Sequence, residues 1–142
     1  MRLKPTLFAE SNAASEDVIA DCYVLGGGRV AAFVARRLRS EGRTVSVVDE
    51  AHDPSEAPGV RGDPTDVATL NEAGVSEAST VIVATPSDNR NLLVAQLVRA
   101  YFDVPELLVL VNAPDRCDVL AAAGHRPVCA TTALSEALVD AT

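Results

Sequence analysis

Residues 21–50 read DCYVLGGGRVAAFVARRLRSEGRTVSVVDE, and the fold turns on them. Asp21–Leu25 is a short apolar run of strand formers, broken by Gly26, Gly27 and Gly28. Over Arg29–Glu41, Val30, Ala31, Val34, Ala35 and Leu38 recur at the spacing that keeps one helix face buried. Gly42 is a C-terminal stop, and Thr44–Val48 is a second β-branched run that ends in Asp49 and Glu50. Strand, glycine turn, helix, strand and acid make one βαβ unit of about 30 residues.

The spacing has a chemical reading. Gly26, Gly28 and Ala31 fit G-x-G-x-x-G/A. In that pattern the first Gly allows a tight turn out of the strand. The second lets a pyrophosphate approach the backbone, and the third small residue lets helix and strand pack closely. The N–H groups at the helix start, with the positive end of its dipole, favour an anion there. Asp49, at an exposed strand tip, is placed to accept both hydroxyls of an adenosine ribose, and it would repel a 2′-phosphate. NAD, NADH or another nucleotide with a free ribose, such as ATP or ADP, is therefore expected ahead of NADP. A glycine-rich turn without a ligand is the plainer reading of the triplet alone. The strand, helix and acid in register argue for the ligand.

Composition narrows the classes. The chain has 142 residues, 48% of them hydrophobic, which suits one domain with a real core. Its formal net charge of −8 repels nucleic acid and anionic membranes. One lysine, Lys4, stands against eleven arginines. Acid-rich and lysine-poor usage reads as that of a halophilic protein whose carboxylate repulsion is screened by salt, with an ordinary acidic protein from a GC-rich genome as the plainer alternative. Cys22, Cys117 and Cys129 are far apart, and the spacing predicts small buried thiols in a reducing cytosol. With no signal peptide and no bilayer-length apolar run, the chain reads as soluble and cytoplasmic, without direct membrane insertion.

Along the chain, residues 1–20 lack a period and read as a flexible leader or linker, leaving 21–142 as the folded domain. Two prolines in Ala51–Pro58 argue against a second crossover helix, and His52 reads as a solvated loop residue. Gly59–Arg61 is a brief edge strand. Val67–Ala73 is a short helix with Thr65 as its cap, closed by Gly74. Thr80–Ala84 is a buried strand, Thr85–Asn91 a polar loop, and Asn91–Phe102 a long helix. Strand Leu107–Val111, helix Arg116–Ala123 capped by Asp115, strand Val128–Ala130 and helix Thr132–Ala141 complete the chain. This alternation predicts an α/β fold: a Rossmann-like, doubly wound, mainly parallel sheet in the order 3-2-1-4-5-6. The reversal between strands 1 and 4 opens a crevice that sets Gly26–Arg29 opposite Thr85–Asn91.

Several segments together resemble one family. LGGGRVAAFVARRL, VSVVDE, RGDPTDVATLNEAGV and ASTVIVATPSDNRN are similar to the N-terminal nucleotide-binding (RCK) domain of Trk-type potassium-uptake regulators, from about Asp21 to Thr132. The combination of glycine loop, G-D-x-T-D and A-T-x-x-D-x-x-N carries the likeness. It implies that Gly26, Gly28 and Ala31 form the phosphate turn. Arg29 would touch phosphate, and Asp49, with Glu50 beside it, would meet the ribose. Asp63 would lie near the adenine, and Thr85 and Asp88 would face the ligand's phosphate or nicotinamide side. Each of these side chains also admits a role as cap, turn residue or surface ion pair, and Asn91 reads as a brace. The departures are Ala31 for the third Gly, Val111-Asn112-Ala113 where the family often carries an Arg, and an end before the family's usual small C-terminal domain.

The resemblance implies a regulatory subunit that binds NAD, NADH, ATP or ADP and acts by conformational change on a separate potassium transporter or channel membrane subunit, as a homo-oligomer. Tyr101 and Phe102, side by side at a helix end, are the candidate interface aromatics. The competing reading is an NAD-dependent oxidoreductase fragment, whose chemistry needs a proton donor or acceptor near the nicotinamide. Only His52 and His125 are available, and neither has a companion motif.

Overall fold

In the computed structural model, residues 20–142 are described, so the expected leader lies outside them apart from Ala20. The expected βαβ unit is present. Strand β1 (Cys22–Leu25) leads through the glycine turn into helix α1 (Gly28–Ser40), and β2 (Val45–Asp49) returns parallel to β1. β3 (Gly59–Arg61), α2 (Val67–Ala73), β4 (Thr80–Val83), α3 (Asp88–Tyr101), β5 (Glu106–Val111), α4 (Cys117–Ala122), β6 (Arg126–Cys129) and α5 (Ala130–Asp140) follow. All five strand pairings are parallel, and the order is β3-β2-β1-β4-β5-β6. This is the doubly wound, Rossmann-like α/β sheet expected from the sequence.

β1 is wholly buried because both of its faces are covered. Tyr23 and Leu25 point into one core with Leu70 of α2 and Val94 and Val98 of α3. Cys22 and Val24 point the other way, onto Ala31 and Ala35 of α1. α1 approaches through alanines: Ala31, Ala32 and Ala35 are its buried residues. Val30, expected on the buried face, is 56% exposed, as is Phe33. The alanines sit directly beneath the helix, Val34 and Leu38 pack partly buried along its flank, and Val30 and Phe33 are rotated outward.

No helix joins β2 to β3, as the prolines predict. His52 is the correction: it is 5% exposed, packed under this loop with Nε2 against Gly59, where a Cβ would stand 2.7 Å away. The loop lacks a crossover helix to cover the sheet, so the imidazole and Ala57 fill the space.

Other local expectations shift. Asp66, not Thr65, caps α2 by accepting the N–H of Ala68 at 3.0 Å. α3 begins at Asp88 with Ser87 as its cap, three residues before the expected start at Asn91. Asp115 sits in a 3-10 turn, Pro114–Arg116, instead of capping α4. α5 starts two residues early, after Cys129, with no side-chain cap. Phe102 is a core residue at 8% exposure, whereas Tyr101 is 64% exposed; the aromatic pair is split between inside and outside. Cys117 and Cys129, expected as separate thiols, are joined by a disulfide between the start of α4 and the end of β6. Cys22 stays a free buried thiol, pushed up to about 11 by desolvation. No helix among the described residues is long and apolar enough to cross a membrane.

Candidate functional site

The carboxyl ends of the strands converge at the switch between β1 and β4. Gly26, Gly27 and Gly28 all have left-handed backbones, with φ of 75°, 99° and 52°, a run that side-chain-bearing residues resist. Their surroundings divide the labour. A Cβ on Gly26 would stand 2.3 Å from Cγ2 of Thr85, and one on Gly27 would stand 2.8 Å from the carbonyl oxygen of Ala84. A Cβ on Gly28 would meet nothing within 4 Å. The first two glycines are required by packing; the third faces open space above the N-terminus of α1. Ala31 is fully buried beneath the turn. The first turn of α1 carries no acid of its own; the negative charge that meets the positive end of its dipole comes from Asp49, at the end of β2.

Asp49 ends β2 beside this turn. It is 9% exposed, not the open strand tip expected. Its Oδ2 accepts the Gly28 N–H at 2.6 Å, and its Oδ1 accepts the Ala51 N–H at 3.0 Å. The carboxylate is drawn inward because the glycine turn and the chain leaving β2 both offer it unpaired donors. Arg29 and Glu50 are exposed on either side.

Across the crevice, Thr85 is 3% exposed. Its N–H donates to Oδ1 of Asn91 at 2.9 Å, and Asn91, fully buried, donates its amide to the carbonyls of Thr85 and Leu110, each at 2.9 Å. Asn91 is thus a brace that pins the β4–α3 turn to β5. Asp88 accepts from the N–H groups of Asn112 and Ala113 at 2.7 and 2.9 Å. Burial pushes its carboxyl up, but those N–H groups and the Asn112 amide outweigh it and hold it below the usual 3.8. Its oxygens point at the β5–α4 connection.

Asp63 follows β3. Its Oδ1 accepts the N–H of Thr65 at 2.8 Å and its hydroxyl at 2.7 Å, and these bonds hold the carboxyl below its ordinary value. The same oxygen accepts Nη2 of Arg90 at 2.9 Å, while Oε1 of Glu50 takes that nitrogen at 2.7 Å. Arg90 rises from the first turn of α3, so its guanidinium spans the crevice from one half of the sheet to the other. The hydrogen bond to Glu50, above all, holds Arg90 in its charged form.

The structure therefore brings Gly28, Asp49, Glu50 and Asp63 to one rim, with Gly26 and Thr85 packed on each other at its floor. It turns Asp88 toward β5 and adds Arg90, which from the sequence is only one residue of a polar loop. The arrangement offers backbone donors and a helix terminus to an anion and a carboxylate to a diol, with the Glu50–Arg90–Asp63 cluster beyond them.

A family model for the TrkA-N domain matches residues 22–131. The Trk system potassium uptake protein TrkA homolog of Methanothermobacter thermautotrophicus is 35% identical over 99 residues, covering 65% of this chain and 45% of that protein. This chain thus spans about half the length of that relative. Among solved structures, GsuK bound to ADP superposes with a TM-score of 0.74 at 26% identity, covering 90% of this chain and 34% of that one. The GsuK channel bound to NAD gives 0.65 at 25% identity, covering 79% and 22%.

Proposed function

This chain belongs to the TrkA-N domain family, and on that premise we propose that it is a regulatory domain that binds an adenine nucleotide and controls potassium transport. One observation carries the ligand part. Gly28, the one turn glycine whose missing Cβ faces open space, donates its N–H to Asp49, so the anion-accepting turn and the diol-accepting carboxylate form a single unit. A nucleotide whose phosphates lie over Gly28 and Arg29 sets its ribose beside Asp49. NAD, NADH, ATP and ADP all present that unit, and the neighbouring structures with NAD and ADP support this class. Thr85 lines the floor, and Asp88 braces the far wall.

Control would run through the crevice. A ligand bridging the β1–α1 turn and the β4–α3 side favours the arrangement in which both contacts are made. It shifts the population of that arrangement by its differential affinity. The partner is a potassium transporter or channel membrane subunit, with the domain on the cytoplasmic side and paired with a second copy. The potassium-uptake relative supports the transport role. On this reading the domain has no turnover of its own; the two histidines, His52 and His125, are both buried.

The test is light scattering and small-angle scattering at molar KCl, with and without ADP or NADH, alongside an NADH-oxidation assay. A dimer whose scattering changes with ligand, without turnover, supports the proposal. Steady NADH oxidation would make the oxidoreductase reading the better one.

A further inference from the structure

We propose that Arg90 is the stacking platform for the purine ring of the bound nucleotide. This deepens the nucleotide reading above and rests on it. A nucleotide is a linear chain of phosphate, ribose and base. With phosphate at Gly28 and ribose at Asp49, the base extends past Asp49, away from the glycine turn. The residues there are Glu50, Asp63 and Arg90, joined through the single nitrogen Nη2 at 2.7 and 2.9 Å.

The charges decide which part of the nucleotide this cluster takes. Two carboxylates surround one guanidinium, so the cluster is net negative and repels phosphate. A neutral base has no such conflict. A guanidinium is planar and stacks on purine faces, and carboxylate oxygens beside it are acceptors for an exocyclic amine such as that of adenine.

The anchoring decides whether Arg90 is a fixed surface or a loose side chain. The Arg90 N–H is capped by Ser87 Oγ at 3.2 Å, and Asp63 is itself held by Thr65. Because Glu50 and Asp63 both bind Nη2, the guanidinium is pinned at one corner. Its side chain is still 33% exposed, with Glu50 at 52% and Asp63 at 45%, so the cluster is open to a ligand. Ordering before the ligand arrives lowers the entropic cost of stacking.

NMR titration of the protein with AMP and with ribose 5-phosphate, which lacks the base, tests the platform. Arg90→Ala removes it; Arg90→Lys keeps the charge but not the plane. Arg90→Lys is expected to bind AMP about tenfold more weakly, the low end of the range for base stacking, with ribose 5-phosphate affinity unchanged within about twofold; Arg90→Ala, which also removes a positive charge, is expected to weaken AMP about tenfold more than it weakens ribose 5-phosphate. Arg90→Lys, which keeps an ion pair to the acids, guards against loss of fold, and a thermal melt checks it. If Arg90→Lys binds AMP like the parent, the platform is overturned while nucleotide binding stands. Equal weakening of both ligands would make Arg90 a phosphate partner instead. Tighter AMP binding by Arg90→Ala would make it a strap that must open. Both results overturn the proposal. A parent that binds neither AMP nor ribose 5-phosphate overturns the crevice reading itself, and the platform with it.

Discussion

Asp49 and Gly28 are bonded across the mouth of the crevice, carboxylate Oδ2 to backbone N–H at 2.6 Å. The residue expected to hold the ribose is therefore also the residue that fixes the phosphate turn. On the proposed reading one carboxylate serves both subsites, so ligand affinity and local stability are expected to be coupled there.

Asp49→Ala is expected to weaken adenine-nucleotide binding by about 1.5–3 kcal/mol, the scale of a hydrogen bond to a charged group. It is also expected to cost about 1–3 kcal/mol of stability, because the N–H groups of Gly28 and Ala51 lose their acceptor. Calorimetric titration and urea unfolding measure the two separately. Loss of affinity with no loss of stability would mean that the bond to Gly28 contributes nothing in solution.

Gly26 and Gly28 are predicted to fail in different ways. Gly26→Ala places a methyl 2.3 Å from Thr85 Cγ2 at a φ of 75°, so the fold is destabilised by several kcal/mol, on the scale of an overpacked core. Thr85→Ser removes that Cγ2 and is expected to restore part of the loss in the double variant. Gly28→Ala meets no neighbour and costs only about 1–2 kcal/mol of left-handed strain, yet it blocks close approach of phosphate. Thermal melts of the four variants, with nucleotide titration of those that fold, check the contrast.

Acid is predicted to loosen both sides of the crevice. Asp88 and Asp63 have folded-state pKa values below the ordinary 3.8. Each contributes stability that is fully present above the unfolded value and is lost as pH falls through the folded one. Stability is therefore expected to fall below about pH 4, and Asp88→Asn should flatten that fall. Asp88 is the better probe, since its oxygens bind two backbone N–H groups, whereas Asp63 is half exposed and screened. Urea unfolding from pH 5 to pH 2.5 reads the difference.

With twenty acids against twelve bases, self-repulsion opposes the compact state in dilute buffer. The melting temperature is expected to rise steeply between low and molar KCl as the charges are screened. A flat profile would remove the halophilic reading and leave the nucleotide reading intact.

Much of this architecture is legible in the sequence because its signals are local. The glycine run, the apolar β1 and β2 and the alternation of elements each lie within a few residues, and together they fix the sheet order. Helix edges are less legible where two cap formers adjoin: Thr65 and Asp66 both offer an oxygen, and only the turn made by Asp63 selects Asp66. The outward turn of Val30 follows from how α1 is set on the sheet, which periodicity does not encode. Arg90 is invisible for the same kind of reason. Its partners lie 40 and 27 residues away, just past the ends of β2 and β3, which only the crossovers bring to it. The Cys117–Cys129 pair, 12 residues apart, likewise depends on α4 and β6 packing side by side. His52 reads as a surface residue because its loop is polar, and it is buried because the missing crossover helix leaves a space to fill.

The central claim, that the crevice at the β1–β4 switch binds an adenine nucleotide, is tested most directly by calorimetric titration of the purified protein in molar KCl with NAD, NADH, ATP and ADP in turn. The account predicts saturable binding of at least one of them at one site per chain, weakened at least tenfold in Asp49→Ala. Absence of binding for all four, or binding that Asp49→Ala leaves unchanged, would contradict it.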